Sequence, residues 1–499
     1  MYLLGVDIGT SGAKAVLIDQ SGAVIASASE SYPLDMPRPL WAEQNPDDWW
    51  RATCVVVRRV LERSGVVARE VRGIGLSGQM HGSVFLDAQG ESIRPALLWC
   101  DQRTAAECAW ITERVGEQTV LQTTLNPVLT GFQAGKILWL RRHEPENYAR
   151  IRQVLLPKDF IRYRLTGESA TEVSDASGTA LFDVPRRDWA YEILDTLELP
   201  RAWLPKVYES PEITGRITAQ GAQATGLAEG TPVVGGAGDQ AAGAIGVGVV
   251  QGGRASVSVG TSGVVFAYLQ QPQVDPQYRT HTFCHAVPGA WHVMGVMLMA
   301  GGALQWYRET FAPDVPFDAL VGEAERVPAG AEGLLFAPYL SGERTPYADP
   351  QARGAFVGLT RAHTRAHCTR AVLEGVAFGL RDSLEILRAM GVPLQELRLT
   401  GGGAKSPLWR TILASVFGLP VHTLRAEEGP AYGVALLAGV GVGIWNSVPE
   451  ACAATVQLAD TTAPQPEQQA VYAQLYPRYR RLYPALQPFW AKGAANLSP

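Results

Sequence analysis

The sequence has no pair of cysteines in a CxxC spacing. Its six cysteines (Cys54, Cys100, Cys108, Cys284, Cys368 and Cys452) are scattered along 499 residues. That excludes a zinc framework and fits reduced thiols filling the core of a cytoplasmic protein. No stretch reaches about 18 uninterrupted apolar residues. The nearest approach, Ala431 to Trp445, is short and rich in glycine and alanine, as a tightly packed interior helix is. The opening MYLLGVDIGTSGAK runs into a strand pattern without a basic leader or apolar core, so neither export nor a membrane is expected. An excess of one charge is missing too: 43 Lys and Arg against 48 Asp and Glu give −5, with no long runs of one sign. Nucleic acid is therefore not an expected partner. What is present is apolar residues, 46% of the chain, enough to exclude disorder, and a length that predicts two or three domains. Glycine is in excess, at 52 residues.

Turn signals divide the first thirty residues into three strands, Tyr2 to Gly9, Ala13 to Asp19 and Ala23 to Ser29, an antiparallel meander. Asp47 to Ser64 reads as a helix capped by Asp47, with Trp50, Cys54, Val57 and Leu61 as its apolar face. The strand Val71 to Leu76 then ends in Ser77-Gly78-Gln79-Met80-His81-Gly82, polar groups at a carboxyl end where open α/β sheets place ligands. Ile8-Gly9-Thr10-Ser11-Gly12 recurs as Val259-Gly260-Thr261-Ser262-Gly263, 251 residues later and again between strand-like runs. Such a repeat points to two similar α/β halves facing across a cleft, with a break near Val247 to Arg254; five residues also suit an ordinary hairpin turn.

A glycine-bearing hairpin lets backbone N–H groups approach an anion, and hydroxyls and a lysine add donors and charge. Asp7 to Lys14 has all of these, and Asp7 at a strand end is placed to hold hydrated Mg²⁺ beside phosphates. It is not a Walker A loop, because GxxxxGK[ST] is absent. Between Thr231 and Gly263 lie ten glycines and a single acid, Asp239. The small neighbours of Asp239 leave its carboxylate open to a substrate, although a lone aspartate among glycines is also a common turn residue. Leu399 to Trp409 reads as a strand, the loop Gly401-Gly402-Gly403 and a helix with Ser406 at its N-cap and Pro407 at N1, against which a nucleotide can lie. A small-residue step at Met299 to Ala303 precedes a helix carrying Gln305 and Trp306.

These segments together resemble the FGGY family of carbohydrate kinases, over essentially the whole chain. Two further segments share in the resemblance: Lys136 to Leu140, and Gly354 to Leu359 continuing to His367 and to Ala371-Val372-Leu373-Glu374. Cys368 stands where an aliphatic residue is usual, apolar for apolar. The resemblance implies an α/β fold of two ribonuclease H-like domains of the actin and Hsp70 ATPase kind flanking a nucleotide cleft. Residues 1–248 would carry the sugar site, the first phosphate hairpin and the catalytic aspartate; residues 249–499 would carry the second hairpin and the nucleotide site.

The resemblance also implies the chemistry: MgATP-dependent phosphorylation of a sugar, with Asp239 as general base and, with Asp7, as metal ligand. Thr10, Ser11, Lys14, Thr261, Gly302, Gly402 and Gly403 would meet ATP. Gln79, Met80, His81, Trp99, Asp239 and Gln240 would meet the sugar. An aspartate of ordinary pKa, about 3.9, is ionised at neutral pH and suffices for a loose phosphoryl transfer. Members acting on glycerol share the glutamine and continue with Arg-Glu. Met80-His81 instead follows the members that convert D-xylulose to D-xylulose 5-phosphate, although those often carry Asn at the positions of Cys100 and Gln240. Ribulose, another ketose or gluconate stays open as the acceptor. So does, from another class, an ATP-driven binding protein of the actin or chaperone kind, against which stands the polar strand end at 79–81. A homodimer is expected from the resemblance alone. Asp101 and Arg103 could bind sugar or pair with each other, and Arg344 reads as a loop brace.

Overall fold

The computed structural model describes residues 1–426 and 428–493. Side chains alternate across the first strand, β1 (Tyr2–Ile8): Leu4, Val6 and Ile8 enter one core and Leu3 the opposite one, as a strand buried on both faces requires. β1 pairs antiparallel with β2 (Gly12–Asp19), Asp7 opposite Lys14, and β2 pairs antiparallel with β3 (Val24–Ser31). On its other edge β1 runs parallel to the strand Val71–Gly78, which sets Asp7 beside Ser77. Beyond it lie Pro232–Val234, parallel, and Ile213–Arg216, antiparallel at the edge. The short strand Ala237–Gly238 also runs parallel to Val71–Gly78, at Ser77 and Gly78.

The second sheet repeats this order. Gly253–Val259 and Gly263–Leu269 form the antiparallel hairpin, followed outward by Trp291–Met297 and His281–Cys284. On the other side come Leu394–Thr400 and Val421–Leu424, both parallel, and the antiparallel edge Leu458–Thr462. The five-residue repeat is therefore the visible tip of a repeated sheet, each copy with a hairpin and a parallel strand ending beside it.

The helix α1 (Pro46–Ser64) covers one face of the first sheet. Its cap is Asn45 rather than Asp47: the Asn45 side chain accepts from the Asp47 N–H, and Pro46 opens the first turn. The buried stripe is Trp49, Thr53, Val56, Val57 and Val60, one position away from the expected face; Trp50, Cys54 and Leu61 are half-buried at its margin. Trp49 is buried with that stripe, and its indole N–H is satisfied there by Gln44 at 3.0 Å.

The opposite face is covered by the helix Pro430–Gly441, buried from Ala431 to Gly439. It belongs to the second half of the chain yet lies on β1 and Val71–Gly78. A Cβ on Gly5 would run into the Ala431 carbonyl oxygen, and one on Gly75 into that of Val434. Backbone-to-backbone packing explains why this segment is rich in glycine and alanine. No helix among the described residues is long and apolar enough to cross a membrane.

Gly5→Ala should therefore lower the stability of the protein by about 1–3 kcal/mol through overpacking, read as an earlier midpoint in urea or heat. A melt unchanged from the parent would show that the helix yields freely.

Candidate active site

Three parallel strands end side by side: β1 in Asp7, Val71–Gly78 in the Ser77-Gly78-Gln79 step, and Ala237–Gly238 in Asp239, the first residue of the helix Asp239–Gly246. Two carboxylates thus share one edge of the sheet, at the carboxyl ends where such sheets bind ligands. Burial pushes the Asp239 carboxyl up to about 7, and the charge of Asp7 adds to the rise. Burial likewise pushes Asp7 up to about 6, against the pull of Ser77 and Lys14. The ordinary acidity expected of Asp239 does not hold, because enclosure and a like charge both favour its protonated form. Asp7 Oδ1 is buried without a hydrogen-bond partner. A divalent cation fits this pair: it would satisfy the orphaned oxygen and relieve the repulsion.

The first hairpin is built from below. Gln44 donates to the Thr10 carbonyl (2.7 Å) and accepts from Gln79 Nε2 (2.9 Å) and from Trp49. Gln79 accepts in turn from the Thr10 hydroxyl at 3.3 Å and is 1% exposed. Gln79 therefore shapes the hairpin from inside instead of opening onto the cleft; Gln44, which carries no motif, was missed. Thr10 Oγ1 also accepts from Trp99 Nε1 at 3.0 Å, and the Trp99 ring is 38% exposed. The tip residue Ser11 is exposed. Lys14 forms an ion pair with Glu428, from the segment leading into Pro430–Gly441; the expected phosphate-facing cation thus has a carboxylate partner in this conformation.

Met80 packs on Gly238, the residue before Asp239, and His81 packs on Gly178. A Cβ on Gly238 would sit 2.9 Å from Met80 Cγ, and one on Gly178 would strike the His81 ring. His81 Nδ1 lies 2.7 Å from the Gly178 carbonyl, which can only accept, so the proton is on Nδ1 and Nε2 is left as an acceptor. Burial holds the His81 pKa down at about 3, and Phe132 packs on the ring at 4.7 Å. The buried Lys136 donates to the carbonyls of His81 and Gly131, 2.7 Å each, so the Lys136–Leu140 segment holds the His81 turn, whose φ of +68° is rare outside glycine. Gln240 lies against Asp239, its Nε2 at 3.4 Å from Oδ1.

Asp101 and Arg103 pair with each other, Nη2 to Oδ2 at 2.6 Å, and both are almost completely buried. Arg344 is not the brace of its loop. Glu343 braces it, accepting from the backbone N–H groups of Leu298 and Arg344; the Arg344 guanidinium makes no hydrogen bond or ion pair among the described residues.

In the second half, Thr261, Gly302, Gly402 and Gly403 line one cavity of about 670 Å³, a size suited to a nucleotide. The second hairpin is bonded to the helix Gly301–Phe311 through Gly301 N to Gly260 O (2.7 Å) and Gly302 N to Thr261 O (3.1 Å). Lys405 and Gln305 also line the cavity, and the helix Phe317–Glu325 closes it with Phe317 and Val321. That wall was missed; its one signal is an apolar i, i+4 pair. Of the three loop glycines, Gly401 adopts φ +84° and Gly403 packs against Val259, whereas a Cβ on Gly402 would meet nothing within 4 Å. Packing gives no reason for a glycine at 402, and clearance for a ligand does.

Residues 2–246 match the N-terminal domain of the FGGY family of carbohydrate kinases, and residues 255–442 its C-terminal domain. The chain is 42% identical over 493 residues to a xylulose kinase of Escherichia coli, covering 98% of this chain and all of that one. Among solved structures, a ligand-bound xylulose kinase from Lactobacillus acidophilus superposes with a TM-score of 0.93 at 28% identity, covering 98% and 99% of the two chains. A gluconate kinase from the same organism reaches 0.92 at 29% identity with the same coverage.

Gly402→Ala should leave the melt of the free protein unchanged while weakening ADP binding by about tenfold, measured by calorimetry. Unchanged ADP affinity would return Gly402 to a plain linker role.

Proposed function

The chain belongs to the FGGY family of carbohydrate kinases, and we propose that it transfers the γ-phosphoryl group of ATP to the terminal hydroxyl of D-xylulose, giving D-xylulose 5-phosphate. The observation that carries this reading is the pairing of Asp7 and Asp239 at one strand edge, with Met80 against Gly238, apart from the glycine-lined cavity of the second half. A hydroxyl-rich acceptor suits the first, a nucleotide the second.

Asp239 orients the terminal hydroxyl and takes its proton as the bond to phosphorus forms. Because the transition state is loose, the proton leaves late and a carboxylate is base enough. Its raised proton affinity brings it nearer to the operating pH, where general bases work best. His81 Nε2 accepts a hydrogen bond from a sugar hydroxyl and, being neutral, brings no charge to repel the metal. Trp99 offers an apolar face to the carbon skeleton. Asp7 and Asp239 would hold Mg²⁺, which when bound supplies positive charge beside the phosphates. Thr10, Ser11 and Thr261 offer donors from the two hairpins, and Lys14 joins them when its pair with Glu428 opens. Action in the cytoplasm and a homodimer complete the reading; the six free thiols are in keeping with the former.

Comparing kcat/KM across pentuloses, polyols and aldonates with coupled ADP detection tests the acceptor. D-xylulose should lead by at least about tenfold, and a lead for ribulose or gluconate would replace it. Asp239→Asn should lower kcat by about 10²–10⁴-fold with ATP affinity kept within about twofold; near-parental turnover removes Asp239 from the chemistry. Both carboxyls have raised pKa values, so each holds more of its proton as pH falls through 7 to 6 and must release it to bind a cation. Mg²⁺ affinity of the nucleotide-free protein should therefore weaken steadily from pH 8 to 6; a flat profile by calorimetry would contradict the assignment.

A further inference from the structure

Behind the strand edge lies a cluster of charges with no part in the reaction described above: Lys158, Asp159 and Arg162 on the helix Pro157–Thr166, with Glu172 and Asp175, all 0% exposed. Lys158 Nζ contacts Asp159 at 2.9 Å, Asp175 at 3.0 Å and Glu172 at 3.5 Å. Burying so many charges costs several kcal/mol per ion, and apolar residues would fill the space at least as stably. Stability alone does not account for the cluster.

Its outward bonds reach the chain that delivers Asp239 either directly or through one intervening residue. Arg162 donates to the carbonyls of Val234 (2.7 Å) and Gly235 (2.6 Å). It also donates to the Thr214 hydroxyl at 2.6 Å, which donates in turn to the Val233 carbonyl at 3.2 Å. Glu172 accepts from the Ser210 hydroxyl at 3.0 Å, and the Ser210 carbonyl accepts from Gly236 N at 2.9 Å. Glu172 also accepts from the Ser174 backbone N–H (2.7 Å) and hydroxyl (3.0 Å). A carboxylate accepts, so the Ser174 hydroxyl donates its hydrogen to Glu172 and its oxygen lone pairs stay free to accept. It accepts from the N–H of Gly238, 3.1 Å away and one residue before Asp239.

We propose that Ser174 is a positioning residue for Asp239: its hydroxyl, oriented by Glu172 and through it by the buried cluster, fixes the Gly238 peptide and so the direction in which the Asp239 carboxylate meets the acceptor hydroxyl. This rests on the reading of Asp239 as the base. Phosphoryl transfer depends on alignment, so a small rotation of that peptide lowers turnover without touching the nucleotide cavity.

The test is a double-mutant cycle on the full-length protein with D-xylulose and MgATP. Ser174→Ala should lower kcat by about tenfold or more, with the KM for ATP within about twofold, and Ser174→Cys, which keeps a weak acceptor, should recover part of the loss. In an Asp239→Asn background, followed in single turnovers with labelled ATP, Ser174→Ala should cost nothing further, since the group it positions is gone. Near-parental kcat in Ser174→Ala, or an equal loss in both backgrounds, overturns the proposal. If Ser174→Ala does not fold, Ser210→Ala replaces it, with a smaller kcat loss that must likewise vanish beside Asp239→Asn. Parental turnover in Asp239→Asn alone would instead sink the base; a crippled Asp239→Asn with a normal Ser174→Ala sinks only the positioning.

Discussion

The Pro430–Gly441 helix lies backbone to backbone on β1 and Val71–Gly78, and the rest of the site depends on that contact. Gly5 and Gly75 permit the approach. Once seated, the helix also meets the helix Asp239–Gly246, where a Cβ on Gly433 would strike the Ala242 carbonyl oxygen. A segment from the second half thereby sets the height of the Asp239 helix above the sheet that carries Asp7. The residues just ahead of it supply Glu428 to Lys14. The halves are thus joined under the cleft through the elements that bear the two carboxylates.

Two kinds of burial do different work there. Asp7 and Asp239 are enclosed with little compensation, which raises both pKa values and leaves them ready for a cation and for a proton. The Gln44–Gln79–Thr10 relay is enclosed with its bonds made, and the Lys158 cluster with each charge facing an opposite one, although Asp159 Oδ2, Arg162 Nε and both Asp175 oxygens lack hydrogen-bond partners; such groups hold geometry rather than react. His81 combines the two: its Nδ1 is spent on Gly178 and its Nε2 is kept free.

Much of this was legible in the residues. The repeated hairpin, the Ser406 cap that accepts from Trp409, the interior helix after Ala431 and the glycine loop at 401–403 all depend on local backbone demands, which a short segment carries within itself. The helix Pro46–Ser64 was legible as a helix but not in its buried face, because Trp49 and Trp50 have equal apolar character and the sheet it packs on takes the stripe of Trp49, Ala52, Val56 and Val60. Gln79 was expected to meet the sugar, yet the bonds that occupy its amide come from residues 35 and 69 positions away. Arg344 was expected to brace its loop, a part the neighbouring Glu343 takes through bonds to the Leu298 and Arg344 N–H groups.

By itself the sequence determined the chemistry on offer: which strand ends carry carboxylates, where glycine leaves the backbone open, and that the plan is used twice. Such features are local, set by φ, by the absence of a Cβ or by the alternation of a strand. Only the tertiary structure decided that burial raises the proton affinity of Asp239, that Lys14 meets Glu428, that Phe317 walls the cavity of the second half, and that five buried charges stand behind one peptide. These depend on dielectric surroundings and on contacts between distant segments, which exist only when both sheets and the helix between them have come together.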